Sequence, residues 1–263
     1  MSDVHRASHV DLNSDMGEAF GPYRMGDDEA ILRIVTSANV ACGFHGGDPD
    51  VMVATFASAK DKGVAVGAHP GYSDLWGFGR RVIPHSLKEI ERLVAYQIGA
   101  AQALSTYAGH PISYVKAHGA LGNQTESDPD VARAVTLAIK AVDPKLMCLA
   151  IALGHQERIA RDLGMVVKSE IFADRAYTEE GKLVSRKLPG AVIHDPEAAA
   201  ARVVRMVQSN AIETASGKMI PTLIDSICLH SDTPTAVSIA QSVRQGLESA
   251  GVTLKAFAPV AAR

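Results

Sequence analysis

Cysteine is scarce and poorly placed for cross-linking. Cys42, Cys148 and Cys228 are odd in number, far apart, and form no CxxC pair. That argues against a disulfide framework and against a thiolate zinc site. Cys148 and Cys228 lie inside apolar runs, where a free buried thiol is the ordinary reading. A basic surplus is also missing: Lys and Arg total 26 against 29 Asp and Glu, a net charge of −3, and no basic cluster exceeds Arg80-Arg81. Nucleic-acid binding is excluded on that ground. No apolar run approaches the ~20 residues that span a bilayer, which excludes a membrane protein of that kind. The opening MSDVHRASHVDLN carries no apolar core of a secretory signal, so the expectation is a cytoplasmic protein. No GxGxxG follows the first strand-like run and no GxxxxGK[ST] occurs, which weakens dinucleotide and P-loop readings.

What is present is an ordinary globular composition, 47% hydrophobic and 21% charged over 263 residues. Short β-rich runs alternate with segments of helical period. The runs fall at 9–15, 37–44, 64–70, 112–118, 145–153, 165–173 and 222–230, with an eighth candidate at 252–259. Their apolar character suits strands buried on both faces, as in a parallel sheet. Helices are expected at 27–35, 50–62, 86–107, 128–142, 155–163, 196–209 and 233–250. The signals include Gly63 as a C-cap, SLKE at 86–89 as a capping box, and Pro129 and Pro196 in first turns. Seven or eight such units predict a single (β/α) barrel of parallel strands over 1–263, in preference to an open doubly wound sheet. The segment 174–190 has no helical pattern and is expected to form a hairpin or a loop over the barrel mouth.

In parallel α/β folds, functional residues gather at the carboxyl ends of the strands. Here the first run ends in Asn13, Asp15 and Glu18, the second in His45 and Asp48, and the third in His69. The fourth ends in Lys116, His118 and Asn123, the sixth in Glu170, Asp174, Arg175 and Tyr177, and the seventh in His230 and Asp232. Ionisable groups are expensive to bury without partners, so a set recurring at one face should pair, bind a ligand or line a wet cavity. Glycines flank the histidines in CGFHGGDP, GAHPGY and AHGALGN and permit close backbone approach. Arg80 and Arg81, in GFGRR, suit carboxylate or phosphate. His85, His110 and His194 fall at turns or helix starts and receive no chemical role.

Together these motifs resemble the LamB/YcsF family, the A subunits of 5-oxoprolinases. They are DLNSDMGE at 11–18, ANVACGFHGGDP at 38–49, GAHPGYSDLWGFGRR at 67–81, KAHGALGN at 116–123, EIFADRAY at 170–177 and LHSD at 229–232. They run in order over nearly the whole chain. Departures from the family pattern are Ala117, Gly122 and Ser231 in place of Pro, Tyr and Gly. Loss of the Tyr is expected to open the pocket or alter its lining. The resemblance implies a barrel of the glycoside hydrolase/deacetylase type. It also implies ATP-dependent opening of 5-oxo-L-proline, a small lactam, to L-glutamate, in concert with subunits B and C.

Such chemistry needs anion holders, a water base and an acid for the leaving nitrogen. Lys116, Arg80 and Arg175 are candidate anion holders. Asp15 or His118 could serve as the base. His45 and His69 could act as the acid, or ligate a divalent metal together with Asp15. Asn13, Glu18, Asp48, Glu170, Asp174, His230 and Asp232 complete the expected substrate- or phosphate-binding set. Two other readings stay open: a stand-alone metal-dependent deacetylase or amidohydrolase, and a non-catalytic subunit that presents substrate to its partners.

Overall fold

The computed structural model describes residues 9–260; residues 1–8, which belong to the opening that lacks a signal core, and 261–263 lie outside the described residues. The chain begins β1 (His9–Met16), α1 (Asp28–Ile31), β2 (Ser37–Ala41), α2 (Pro49–Lys62), β3 (Ala65–His69) and α3 (Leu87–Tyr107). It continues with β4 (Tyr114–Val115), α4 (Gly119–Ser127), α5 (Pro129–Val142), β5 (Met147–Ile151), α6 (His155–Asp162) and β6 (Val167–Phe172). It closes with α7 (Pro196–Ser209), β7 (Ala211–Glu213), β8 (Met219–Pro221), β9 (Ser226–Leu229), α8 (Ala236–Ser249) and β10 (Thr253–Leu254).

Strands β1 to β6 pair in sequence, all parallel, and β9 joins β6 to β1, so seven strands close a barrel. The expected eighth strand is reduced to two residues: β10 only extends the sheet beside His9 and Val10. The chain after it runs across the barrel floor, where Phe257 packs edge-on against Tyr114 with ring centroids 4.9 Å apart. Tyr114 fits because β3 carries Gly67 opposite it; a Cβ there would lie 2.4 Å from the Tyr114 ring.

Local signals explain the helix boundaries. Ser86 and Glu89 form the capping box of α3, Asp128 caps α5, and Gly63 ends α2 at φ 68°. The helix expected at 27–35 is cut to one turn. The last helix starts at Ala236, after a turn at Thr233-Pro234. Two elements carry no signal in the sequence. α4 starts directly after the KAH motif, without a side-chain cap and with two glycines in its nine residues. The β7–β8 hairpin is three residues a side and antiparallel.

The strands are buried on both faces as expected, but the two faces differ. Val10, Leu12 and Met16 point into the apolar layer beneath the helices. Asp11, Asn13 and Asp15 alternate with them and belong to a polar network inside the barrel. Asn13 donates to Glu170 Oε1 at 2.8 Å and Ser226 Oγ at 2.7 Å, while Asn39 donates to Asn13 Oδ1 at 2.7 Å. At the lower end Asp11 accepts from Thr36, Ser37 and Ser226.

Burial pushes the Asp11 carboxyl up to about 6, against partial opposition from those hydroxyls. The folded chain therefore keeps this proton up to about pH 6, while the unfolded chain gives it up near 3.8. The group's contribution is complete below the lower value and is lost as pH rises to the upper one, about 3 kcal/mol in all. In denaturant melts between pH 3.5 and 7, the stability of wild type relative to Asp11→Asn should fall by about 3 kcal/mol across that window. A difference independent of pH would contradict the assignment. No described helix is long and apolar enough to cross a membrane.

Candidate active site

The upper ends of the strands carry the site. Inward alternation brings Asn13 and Asp15 from β1, His69 from the end of β3, Lys116 just past β4 and Glu170 from β6 to one face. Glu18 and His45 come from the loops after β1 and β2, and His118 stands at the N-cap of α4. A cavity of about 570 Å³ opens over Asp15, His69, Lys116, His118 and Glu170. The 174–190 segment does reach the mouth: Arg175, Lys182, Leu183 and Arg186 line the same cavity. Gly122 lines it too, and its Cα lies so near Ala117 that a Cβ would meet the Ala117 carbonyl oxygen at 2.7 Å.

Lys116 is the electrostatic centre. It is buried, with Nζ 3.0 Å from Asp15 Oδ1 and 2.9 Å from Glu170 Oε1. Burial alone would lower its pKa, but the Asp15 and Glu170 carboxylates outweigh it and hold the amine well above its usual range. Burial raises Asp15 in the same way, yet His69 and Lys116 overcome it and keep that carboxyl well below its usual range. Glu170 is pushed up by burial, and Lys116 offsets part of that. Lys116 also lies 3.1 Å from Cys228 Sγ.

Four residues converge beside this centre. Glu18, His45, His69 and His118 each offer a ligand atom, all within 4.8 Å of one another. His69 Nδ1–H donates to the Lys116 carbonyl at 2.8 Å, and His118 Nε2–H donates to the Phe78 carbonyl at 2.8 Å. With the rings neutral this leaves lone pairs on His69 Nε2 and His118 Nδ1, which face each other at 3.0 Å, and Asp15 Oδ1 stands 3.2 Å from the same His69 Nε2, where the charged ring that lowers Asp15 carries its second proton. Glu18 Oε1 stands 3.6 Å from His118 Nδ1 and 3.3 Å from His45 Nε2. The His45 and His118 rings stack at 3.6 Å. Neither His45 nitrogen has a hydrogen-bond partner, nor does Glu18 Oε1. Burial holds His45 and His118 well below the imidazole range, with the neighbouring histidines adding to it. Burial and the charge of Asp15 push Glu18 well above its own. Converging lone pairs of this kind repel unless a proton or a cation lies among them. The donor set, with carbonyls fixing the tautomers behind it, fits a divalent metal.

This differs from the expected ligand set. His45 and His69 belong to it, while Asp15 stands beside it: its Oδ1 lies 3.2 Å from His69 Nε2 but also meets Lys116 at 3.0 Å and Asn39 at 2.9 Å. Glu18 and His118 stand in its place. Asp15, Cys228 and His230 make a second compact group, but Lys116 already neutralises its carboxylate.

The other expected residues are placed as follows. Asp174 and His230 pair, Nδ1 to Oδ1 at 2.7 Å, and His230 stabilises the Asp174 carboxylate against the upward pull of burial. Arg80 bridges Asp232 at 2.6 Å on the cavity rim. Arg175 donates to the Val184 carbonyl, and its Nε is buried without a partner. Asp48 does not join the site. Its carboxylate caps α2 through the Asp50 and Val51 amides and also accepts from Gly21 N. Residues that sequence reasoning passed over are Cys228, Glu126, Gln156 and Arg186. Cys228 was legible, since Ser226, Cys228 and His230 alternate with the apolar Ile227 and Leu229. Arg186, whose guanidinium meets His230 Nε2 at 2.7 Å, lies in a stretch with no pattern.

A parallel barrel with buried carboxylates, histidines and a lysine at its upper mouth defines a barrel of hydrolase type. The chain belongs to the LamB/YcsF family, which it matches over residues 10–262. It is 64% identical to the 5-oxoprolinase A subunit of Gluconobacter oxydans, over 95% of this chain and 99% of that protein. It is 60% identical to the corresponding 5-oxoprolinase chain of Azorhizobium caulinodans, again over 95% of this chain and 99% of that protein. The lactam utilization protein of Thermus thermophilus superposes with a TM-score of 0.89 at 44% identity, covering 95% of this chain and all of that one. The catalytic domain of a peptidoglycan N-acetylglucosamine deacetylase from Eubacterium rectale shares the fold, with a TM-score of 0.53 at 12% identity over 97% of this chain and 92% of that one.

Proposed function

We propose that this chain, acting over 1–263 as one barrel domain in the cytoplasm, is the A subunit of an ATP-dependent 5-oxoprolinase. The reaction is 5-oxo-L-proline, ATP and two waters to L-glutamate, ADP and phosphate. The observation that carries it is the meeting of Asp15, His69, Lys116, His118 and Glu170 on one cavity, in a chain so similar to proteins of that name.

The cavity residues divide the work by chemistry. Arg175, Arg80 and Lys116 offer positive charge to the substrate carboxylate and to phosphoryl oxygens. Phosphorylation of the lactam oxygen makes the ring carbon electrophilic, and water then adds there. Asp15, held ionised by Lys116, orients that water. His230 keeps its Nδ1–H on Asp174, so Nε2 is the atom that exchanges a proton once Arg186 is drawn away by substrate. As the C–N bond breaks, the nitrogen takes up a proton and leaves as the amine of glutamate, and a second water hydrolyses the γ-glutamyl phosphate that remains to the γ-carboxylate and inorganic phosphate. Glu18, His45, His69 and His118 are the residues that would hold a divalent metal, which would supply Lewis-acid polarisation beside the reacting carbon.

Partners B and C have a candidate landing place. Phe20, Tyr23, Met25, Leu75 and Trp76 expose apolar surface around a second cavity of about 420 Å³ that reaches Glu18 and His45. Trp76, the chain's one tryptophan, is 98% exposed. The test is co-expression with the two partner subunits and an assay of glutamate release. Release that requires ATP and all three chains is expected. ATP-independent turnover by the isolated chain would instead favour the amidohydrolase reading.

A further inference from the structure

The cavity's two unsatisfied buried atoms differ in polarity, and that difference bears on how a lactam is read. Among the described residues lining it, Glu170 Oε2 and Arg175 Nε are the buried side-chain atoms without a hydrogen-bond partner. Glu170 is 1% exposed, and its other oxygen is fully engaged by two donors, Asn13 Nδ2 at 2.8 Å and Lys116 Nζ at 2.9 Å. The carboxylate is thus fixed in place, with one face left over. An acceptor shut away from water without a donor is unfavourable, and such an atom in a ligand cavity marks a contact that the ligand completes.

A five-membered cyclic amide bearing a carboxylate has one ring donor, its N–H. Its carbonyl and carboxylate oxygens only accept. The cavity's cations, Lys116, Arg175, Arg80, Arg186, Lys182 and Lys187, can serve the acceptors but not that N–H. Asp15 Oδ1 is committed to Asn39, Lys116 and His69, and Glu126 Oε1 to the Leu183 amide; Asp15 Oδ2 is the oxygen left for the water, and of the cavity's carboxylate oxygens Glu170 Oε2 is the one shut away from solvent with no donor. We infer that Glu170, through its unpartnered Oε2, accepts the ring N–H of the substrate and is the residue that distinguishes a lactam from the isosteric lactone. The inference rests on the lactam reading above and adds to it the group that recognises the ring nitrogen.

The polarity can be inverted by one substitution. In Glu170→Gln the amide oxygen must stay toward Asn13 and Lys116, because both are donors. The NH2 group then occupies the position of Oε2 and faces the ring. It opposes a lactam N–H and donates to the ring oxygen of a γ-lactone. The experiment measures binding to the three-subunit complex, by titration calorimetry without ATP, of 5-oxo-L-proline, its N-methyl derivative and the corresponding lactone carboxylate. Wild type should prefer the lactam over both analogues by on the order of a hundredfold. In Glu170→Gln the lactam-to-lactone ratio should fall by at least about tenfold, with lactone binding improved in absolute terms. Both ligands are read on the same preparation, so a loss of folded protein cannot imitate a changed ratio. An unchanged ratio, or equal weakening of both ligands, would overturn the inference and leave Glu170 as a support for Lys116. Wild-type complex that binds neither lactam nor lactone would remove the functional reading itself, and the inference with it.

Discussion

Replacing Lys116 by Met should destabilise the chain by about 3–5 kcal/mol and abolish turnover, because the amine neutralises two buried carboxylates at once. Asp15 and Glu170 both lose their counter-ion in the variant, while Asn13 and Asn39 remain as neutral donors. The carboxylates must then take up protons or admit water. The loss should therefore be largest at neutral pH and smaller at acid pH, where protonation of Asp15 and Glu170 relieves the repulsion. Denaturant unfolding at pH 5 and pH 8 checks it. A loss under 1 kcal/mol at both values, on the scale of an exposed pair, would contradict the buried geometry.

The donor cluster carries the second large effect. Purified without chelator, the chain should hold about one divalent ion, the capacity of a single four-donor site. His118→Ala and Glu18→Gln should lower metal affinity by at least about a hundredfold, since each would remove one of the four donors of the proposed site. Asp15→Asn should leave the metal content unchanged, because Asp15 lies outside the cluster and is held by Lys116. Elemental analysis and competition with a chromophoric chelator read this without any activity. Equal metal content in all four proteins would place the ion elsewhere or remove it.

These two expectations draw on features of unequal legibility in the sequence. Strand positions were readable because each parallel strand is a short apolar run ending abruptly in a polar group. Seven of the eight runs became barrel strands. The run at 252–259 yields only the two-residue β10, because the apolar residues beyond it plug the floor: Phe257 and Ala258 pack under Tyr114. α4 was hidden by its glycines, which the close passage of Gly79 O and Ala117 O requires. The polar face at the barrel mouth was legible from the recurrence of histidines and carboxylates, but the pairings within it were not. Asp48 ends a strand motif just as His45 does, yet the following Pro49 makes it a helix cap. Glu18 reads as a strand-end carboxylate like Asp15. Only the loop geometry turns Glu18 toward His45 and His118, while Asp15 sits between Lys116 and His69.

The most direct test of the shared pocket is glutamate release from 5-oxo-L-proline by the reconstituted three-subunit complex. Wild type, His69→Ala and His85→Ala would be compared at matched folded concentration. His69 lies buried between Asp15 and His118, whereas His85 meets the nearby Ile83 carbonyl and packs beside Tyr72, and does not line the cavity. The account predicts ATP-dependent release by wild type and His85→Ala at comparable rates, and a loss of about a thousandfold or more for His69→Ala. Equal rates from all three complexes would contradict it.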